Sequence, residues 1–314
     1  MNTGAPCAIG VDVGGTKIEA IVLDADGQER WRERVASPRG DYDTSLQAIV
    51  GIVNRARQAA AGARCTIGIG APGNVTERGV MKNCNSTQLN NRPLPADLEQ
   101  LLGQPVIVTN DANCLALSEA TDGAGAGAEV VFAGILGTGV GAGIVVHGHL
   151  LNGPNGLAGE WGHNPLPWAR DDEPRHLCFC GQRGCIETHV SGPWLERDHA
   201  DHHGGSLKAR EIADRAAHGD AACDDTLTRW ETRLARAVAH VINLLDPNVI
   251  VLGGGLSRIE RLYTNVPKLL PNWVSAGGVR DEPVRTRLVQ SLHGDSSGVR
   301  GAAWLWNQPG ARKP

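Results

Sequence analysis

The chain has 314 residues, 41% hydrophobic and 20% charged, enough for two domains with separate cores. A net charge of −4 argues against nucleic acid, where a basic face is expected. No apolar run approaches the about 18–20 residues of a membrane span, and Met1-Asn-Thr-Gly-Ala-Pro6 lacks the basic and apolar regions of a signal peptide.

Ala8–Val13 and Ile18–Leu23 read as buried strands joined by the short turn Gly14-Gly15-Thr16-Lys17. Glycines there let backbone N–H groups face an anion with no Cβ in the way. The Thr-Lys order, and the strand that follows, separate this turn from a Walker loop. Asp12 at the strand end suits Mg²⁺ bound to phosphates; a plain glycine hairpin with Asp12 as turn former fits the local sequence as well.

Trp31–Val35 reads as a third strand. Leu46, Ile49, Val50, Val53, Ala56 and Ala60 follow helical spacing over 44–60, with Asp43 or Thr44 as cap. Cys65–Gly70 is another buried strand, and the amides of Lys82-Asn-Cys-Asn85-Ser suit either hydroxyl ligands or a turn. Val106–Thr109 is a strand, with Asn110-Asp111 at its carboxyl end and a helix over 112–120. Ligands of open α/β sheets collect at such ends, which makes Asp111 a candidate for chemistry. Its competing role is an N-cap, and the two do not exclude each other.

The small-residue stretch Asp122–Ala128 predicts a domain boundary, after which the opening pattern recurs. Val130–Leu136 is a strand, Gly137-Thr138-Gly139-Val-Gly141 a turn, and Ala142–Val146 a strand. β-Branched residues follow where a dinucleotide fingerprint would need a helix. Two strand–turn–strand units predict a duplicated α/β fold with two phosphate-facing hairpins across a cleft.

Gly159-Glu160-Trp-Gly-His163 and Cys178-Phe-Cys180-Gly-Gln-Arg-Gly-Cys185-Ile-Glu187 bring one imidazole and three thiols into one window. Cys₃His is a ligand set for structural zinc. A closed site needs neither Glu160 nor Glu187, so the metal is expected to pin a loop that points carboxylates and an imidazole into a pocket. The other cysteines, Cys7, Cys65, Cys84, Cys114 and Cys223, are scattered and read as reduced buried thiols of a cytoplasmic protein. His199, His202 and His203 read as a solvated loop rather than a second metal site. Leu227–Leu245 is a long amphipathic helix and Asn248–Leu252 a buried strand. Gly253-Gly254-Gly255 is a third glycine turn, open to a flat ring or a backbone. Gly298–Trp306 reads as a short helix tied down by two tryptophans.

Ile9-Gly-Val-Asp-Val-Gly-Gly-Thr-Lys17, Asn110-Asp-Ala-Asn113, Leu136-Gly-Thr-Gly-Val-Gly141, Gly159–His163 and Cys178-x-Cys-Gly-x-x-Gly-Cys-x-Glu187 together resemble the ROK family over nearly the whole chain. That name covers repressors, open reading frames and sugar kinases. The resemblance implies the actin-like (hexokinase/ribonuclease H-like) ATPase fold, two α/β domains around a cleft. A small domain is expected over 1–121, with the C-terminal helix of 298–314 packing back on it, and a large domain over 122–297 with the zinc loop. Lys82–Thr87, Gly162–Trp168 and His293–Trp306 resemble the fructokinase (manno-fructokinase) branch.

The resemblance implies ATP-dependent phosphorylation of a hexose, with fructose to fructose 6-phosphate as the leading reaction. A glucose, mannose or N-acetylhexosamine kinase is the alternative within the class. A non-catalytic sugar-sensing regulator is the alternative outside it, although strand sequence from Ala8 leaves no room for an N-terminal helix-turn-helix. Asp111 matches the general base; Asn85, Asn110, Asp111, Glu160, His163 and Glu187 match sugar contacts. Asp12, Gly14, Gly15, Thr16, Lys17, Gly137, Thr138, Gly139, Gly253, Gly254 and Gly255 match the elements that hold ATP and its Mg²⁺. His163, Cys178, Cys180 and Cys185 match the ligands of a structural zinc ion. The expected protein is a cytoplasmic homodimer that takes a hexose and ATP, with no nucleic-acid or membrane partner.

Overall fold

The computed structural model describes residues 7–38, 40–275 and 282–308. The chain runs β1 (Cys7–Val13), β2 (Lys17–Leu23), β3 (Glu29–Ala36), α1 (Tyr42–Ala59) and β4 (Cys65–Ala71). Next come β5 (Asn74–Val75), β6 (Met81–Lys82), α2 (Leu94–Leu102), β7 (Ile107–Asn110) and α3 (Asp111–Thr121). They are followed by β8 (Val130–Leu136), β9 (Val140–Val146), β10 (His149–Leu150), α4 (Glu187–Val190), α5 (Gly192–His203) and α6 (Ala209–Ala217). Last are α7 (Ala221–Leu245), β11 (Val249–Gly253), α8 (Leu262–Leu269), β12 (Arg287–Gln290) and α9 (Ser297–Trp304).

Two five-stranded sheets have equivalent orders, β3-β2-β1-β4-β7 and β10-β9-β8-β11-β12. In the first, β1 pairs antiparallel with β2 and parallel with β4, which is parallel to β7. In the second, β11 lies parallel to both β8 and β12. The repeat of the glycine turns is therefore a repeat of whole sheets.

The chain divides into two compact units: unit 1, Met1–Gly127, Gly143–Ala158 and Asp295–Pro314, and unit 2, Ala128–Ala142 and Gly159–Gly294. The period-2 alternation of strands sorts the core of unit 1. Ile9, Val11, Ile18, Ala20 and Val22 face α1 and α2, burying Ile49, Ile52, Val53, Leu94 and Leu98. Ala8, Ile21 and Leu23 face the other way, onto Cys114 and Leu117 of α3 and Val299, Ala302 and Trp304 of α9.

Glycines set how closely α9 docks. A Cβ at Gly10 or Gly68 would lie 2.1 Å from the Val299 carbonyl or 1.9 Å from that of Ala302. At Gly301 a Cβ would lie 1.7 Å from the Cys114 carbonyl on α3. Backbone meets backbone there, so no side chain can swing aside. Gly301→Ala is expected to cost about 3 kcal/mol and to lower the melting temperature by roughly 6–12 °C. An unchanged thermal-shift midpoint would mean that α3 and α9 can separate freely.

Several expectations are corrected. The cap of α1 is Asp41, whose carboxylate accepts from the Thr44 N–H at 2.6 Å, not Asp43 or Thr44. The histidine run is the end of helix α5, not a loop: His199 is buried with Nδ1 2.9 Å from the Thr226 hydroxyl, and His203 lies 2.8 Å from Asp225. Cys7 and Cys65 face each other in the parallel β1–β4 register and are joined as a disulfide, so they are not reduced thiols. Met1–Pro6 and 309–314, the tail of the expected C-terminal helix, lie outside the described residues. Among the described residues no helix is long and apolar enough to cross a membrane.

Candidate functional site

In unit 1 the parallel run β1-β4-β7 brings Asp12, Ala71 and Asn110 to one edge of the sheet. The turn after β1 closes with Gly14 N–H donating to the Lys17 carbonyl at 2.9 Å, which leaves Gly15 and Thr16 exposed. The Lys17 ammonium lies 3.4 Å from Glu19 Oε2. Glu19, absent from the expected site, is fully buried beneath the turn. Burial opposes its charge, but hydrogen bonds from Arg34 and Arg32 win and hold its carboxyl below the usual range. A buried acid opposite arginines at alternate positions of β3 is a signal that strand pairing alone reveals.

Asp12 has the reverse problem. Burial, then the negative charges of Asp111 and Glu19, push its pKa up to about 7. Gly298, at the start of α9, leaves room beside it: a Cβ there would sit 3.2 Å from Asp12 Oδ2. Two carboxylates in a low-dielectric setting favour a hard divalent cation with oxygen ligands, so the residues fit a Mg²⁺–phosphate element. The protonated form of Asp12 is retained in the folded state between about pH 4 and 7, where the unfolded chain has lost its proton. Stability therefore falls as pH rises through that window. In Mg²⁺-free protein, Asp12→Asn should gain several degrees of melting temperature relative to wild type at pH 8 but little at pH 4. An advantage that is equal at both pH values would contradict a raised pKa.

Asn110 is the N-cap of α3: its Oδ1 accepts from Ala112 N–H at 2.8 Å and its Nδ2 donates to the Gly73 carbonyl at 3.1 Å. Asp111 is thus the first helical residue rather than the cap, and its Oδ1 also accepts from Ala112 N–H at 2.8 Å. Asn113 donates to Thr109 Oγ1 and Asn152 Oδ1, at 3.1 and 3.3 Å. Asn85 is exposed at the tip of a loop that Asn90 brackets, accepting from Cys84 N–H at 2.8 Å and donating to Cys84 O at 3.0 Å. Cys114 lies beneath the two aspartates; burial and then their charges raise its thiol well above the ordinary value, which leaves it unreactive.

Unit 2 carries the other elements. Parallel pairing of β8 and β11 places the turns Gly137–Gly139 and Gly253–Gly255 at the same sheet edge. Gly254 has φ +85°, and a Cβ on it would meet the Leu136 carbonyl at 2.5 Å. Gly137 O accepts from Gly192 N–H at 2.8 Å, and Thr138 is exposed.

His163, Cys178, Cys180 and Cys185 place their ligand atoms within 4.8 Å of one another. Cys178 Sγ is 3.6 Å from His163 Nδ1, and Cys180 Sγ 3.6 Å from Cys185 Sγ. Around a tetrahedral zinc ion, ligand atoms lie about 3.5–3.8 Å apart, so this donor set fits the metal. His163 turns Nδ1 to the thiols and Nε2 towards Glu160, 3.9 Å away. Gly162 permits the turn, since a Cβ there would fall 1.9 Å from the Val140 carbonyl.

Glu187, expected only as a sugar contact, is buried and does a structural job. Its Oε2 accepts from Val140 N–H at 2.8 Å, while Oε1 faces Cys178 Sγ at 3.8 Å. It therefore ties the thiol loop to the second glycine hairpin, and Gly139 is bare to admit it. A charge-assisted bond of this kind contributes about 1.5–3 kcal/mol.

Known proteins place this arrangement. An N-acetyl-D-glucosamine kinase of Photobacterium profundum is 41% identical over 302 residues, covering 94% of this chain and 98% of that protein. The ROK hexokinase from Thermus thermophilus superposes with a TM-score of 0.82 at 30% identity, over 95% of this chain and 96% of its own. A ROK family glucokinase from Streptomyces griseus, solved with glucose and AMPPNP, gives 0.76 at 31% identity, over 95% and 98%. Residues 8–309 match the ROK family, from the first strand past the last helix, so the chain belongs to that family and has its actin-like ATPase fold.

Proposed function

We propose that this ATP-dependent sugar kinase of the ROK family phosphorylates N-acetyl-D-glucosamine. The observation that carries the reading is the 41% identity, over nearly the full length of both chains, to a kinase named for that sugar. The sequence motifs alone point to fructose, and the relatives do not support that choice. They support the N-acetylhexosamine alternative instead.

Phosphoryl transfer needs an acceptor oxygen held in line, neutralised charge and a group to take the hydroxyl proton. Asp111 is assigned as the base that accepts the proton of the sugar hydroxyl. Asn85, Asn110, Glu160, His163 and Glu187 are assigned to the sugar. Asp12 with Gly14–Lys17, and the turns Gly137–Gly139 and Gly253–Gly255, are assigned to the nucleotide. Mg²⁺, when bound with ATP, neutralises charge on the phosphates. His163, Cys178, Cys180 and Cys185 would hold a zinc ion, and with four protein ligands its role would be structural.

The test is a panel of fructose, glucose, mannose, N-acetylglucosamine and N-acetylmannosamine, read by ADP release with mass identification of the product. N-acetylglucosamine should exceed fructose in kcat/KM by at least about tenfold. A panel led by fructose overturns the assignment and restores a fructokinase.

A further inference from the structure

Unit 2 encloses a cavity of about 230 Å³ that none of these assignments uses. It lies between the segment leaving His163 and the segment entering Cys185. One wall is apolar, formed by Pro165, Leu166 and Ala169. His189 of α4 also lines it, and is only 4% exposed. Among the described residues, no hydrogen-bond partner faces the His189 ring. The ring is therefore met by whatever fills the cavity, water or a ligand. Burial, then the charge of Arg233, depresses its pKa to about 4, so at neutral pH it offers one N–H donor and one acceptor nitrogen.

The charges around the cavity are unequal. Glu173 is already committed: Arg236 Nη1 lies 2.8 Å from its Oε2, Arg233 Nε 3.3 Å from its Oε1, and Arg170 N–H donates at 2.9 Å. Arg175 and Arg183 are exposed lining residues, and among the described residues neither has a carboxylate within ion-pair distance. Arg183 Nη1 does donate to the Arg175 carbonyl, at 3.5 Å, so the cavity combines two guanidiniums without a carboxylate partner, an apolar wall and the imidazole of His189. At 230 Å³ it falls below the about 300–1,000 Å³ of drug-sized pockets. That is too small for a nucleotide.

We infer that this cavity binds a small organic anion, its carboxylate or phosphate group on Arg175 and Arg183 and its apolar body against Pro165, Leu166 and Ala169, reaching His189. Guanidinium forks suit either anionic group. The walls are continuous with the thiol loop: Leu166 N–H donates to Gly184 O at 2.9 Å, and Pro165 bridges to Cys185. Occupancy would therefore stiffen the segments that hold two of the four metal ligands.

The test uses zinc-loaded, full-length protein saturated with AMPPNP and sugar, so that the phosphate hairpins are occupied. Calorimetric titration with benzoate, and separately with inorganic phosphate, should show one anion bound per chain. Arg175→Ser/Arg183→Ser should weaken binding at least about tenfold; both side chains are exposed, so this variant should fold. His189→Phe, which fills the cavity, should abolish benzoate binding. The tighter of the two probes identifies the anionic group as carboxylate or phosphate. No saturable binding of either probe below about 10 mM, or equal binding in the double variant, overturns the inference and leaves a water-filled cavity.

Discussion

Asp111→Asn is expected to lower kcat by roughly 10²–10⁴-fold while the sugar dissociation constant stays within about threefold of wild type. The substitution keeps a carbonyl oxygen where Asp111 Oδ1 accepts from Ala112 N–H, so the first turn of α3 should survive. What is lost is the group able to take the hydroxyl proton. A charge beside Asp12 is also lost, and Asp111 is the largest electrostatic contributor to the raised pKa of that residue after burial. Asp12 should then ionise at lower pH, and the metal-free variant should melt no lower than wild type at pH 8. Single-turnover rates and calorimetric sugar binding separate the two effects. Turnover near the wild-type rate would remove Asp111 from the base role.

Cys180→Ser should release zinc and weaken sugar binding by roughly 10–100-fold, with a smaller loss of ATP affinity. Cys180 is exposed, so the change removes a ligand without opening a core cavity. Glu160 and His163 depend on the loop for their placement, since His163 is itself in the cluster. Glu187 is better anchored, because α4 is buried along its length and Ile186 is fully enclosed. Its bond to Val140 N–H is the route by which the Gly137–Gly139 hairpin, assigned to the nucleotide, should feel the loss. Metal content by mass spectrometry, with separate titrations of sugar and AMPPNP, measures the difference. A zinc-free protein that keeps its sugar affinity would refute the scaffold role.

The strand–turn–strand pattern was legible because it is local: alternation and short glycine turns lie within 20 residues of one another. The thiol cluster was legible for the same reason. Features set by distant partners were not. His199 belongs to a helix because Thr226, 27 residues on, receives its ring. Glu19 needs the β2–β3 register to meet Arg32 and Arg34. The Cys7–Cys65 link needs the β1–β4 register, across a separation of 58 residues. The bond from Val140 to Glu187 spans 47 residues and gives a candidate sugar contact a structural duty that no motif announces. The sequence does not select the sugar, because Asn85, Asn110, Glu160, His163 and Glu187, the residues assigned to it, would satisfy the hydroxyls of many hexoses.

The glycine seats for α9 also bear on how the protein comes into being. Gly10 and Gly68 hold empty tracks in strands made early, and the backbone that fills them arrives only with residues 299 and 302. Contacts of that sequence separation are slow to form. On the ribosome, the opening sheet must wait with one face bare until the last helix emerges, exposing Ala8, Ile21 and Leu23 meanwhile. A nascent chain stalled before residue 297 should therefore bind chaperones through that face, however well its glycine hairpins have formed.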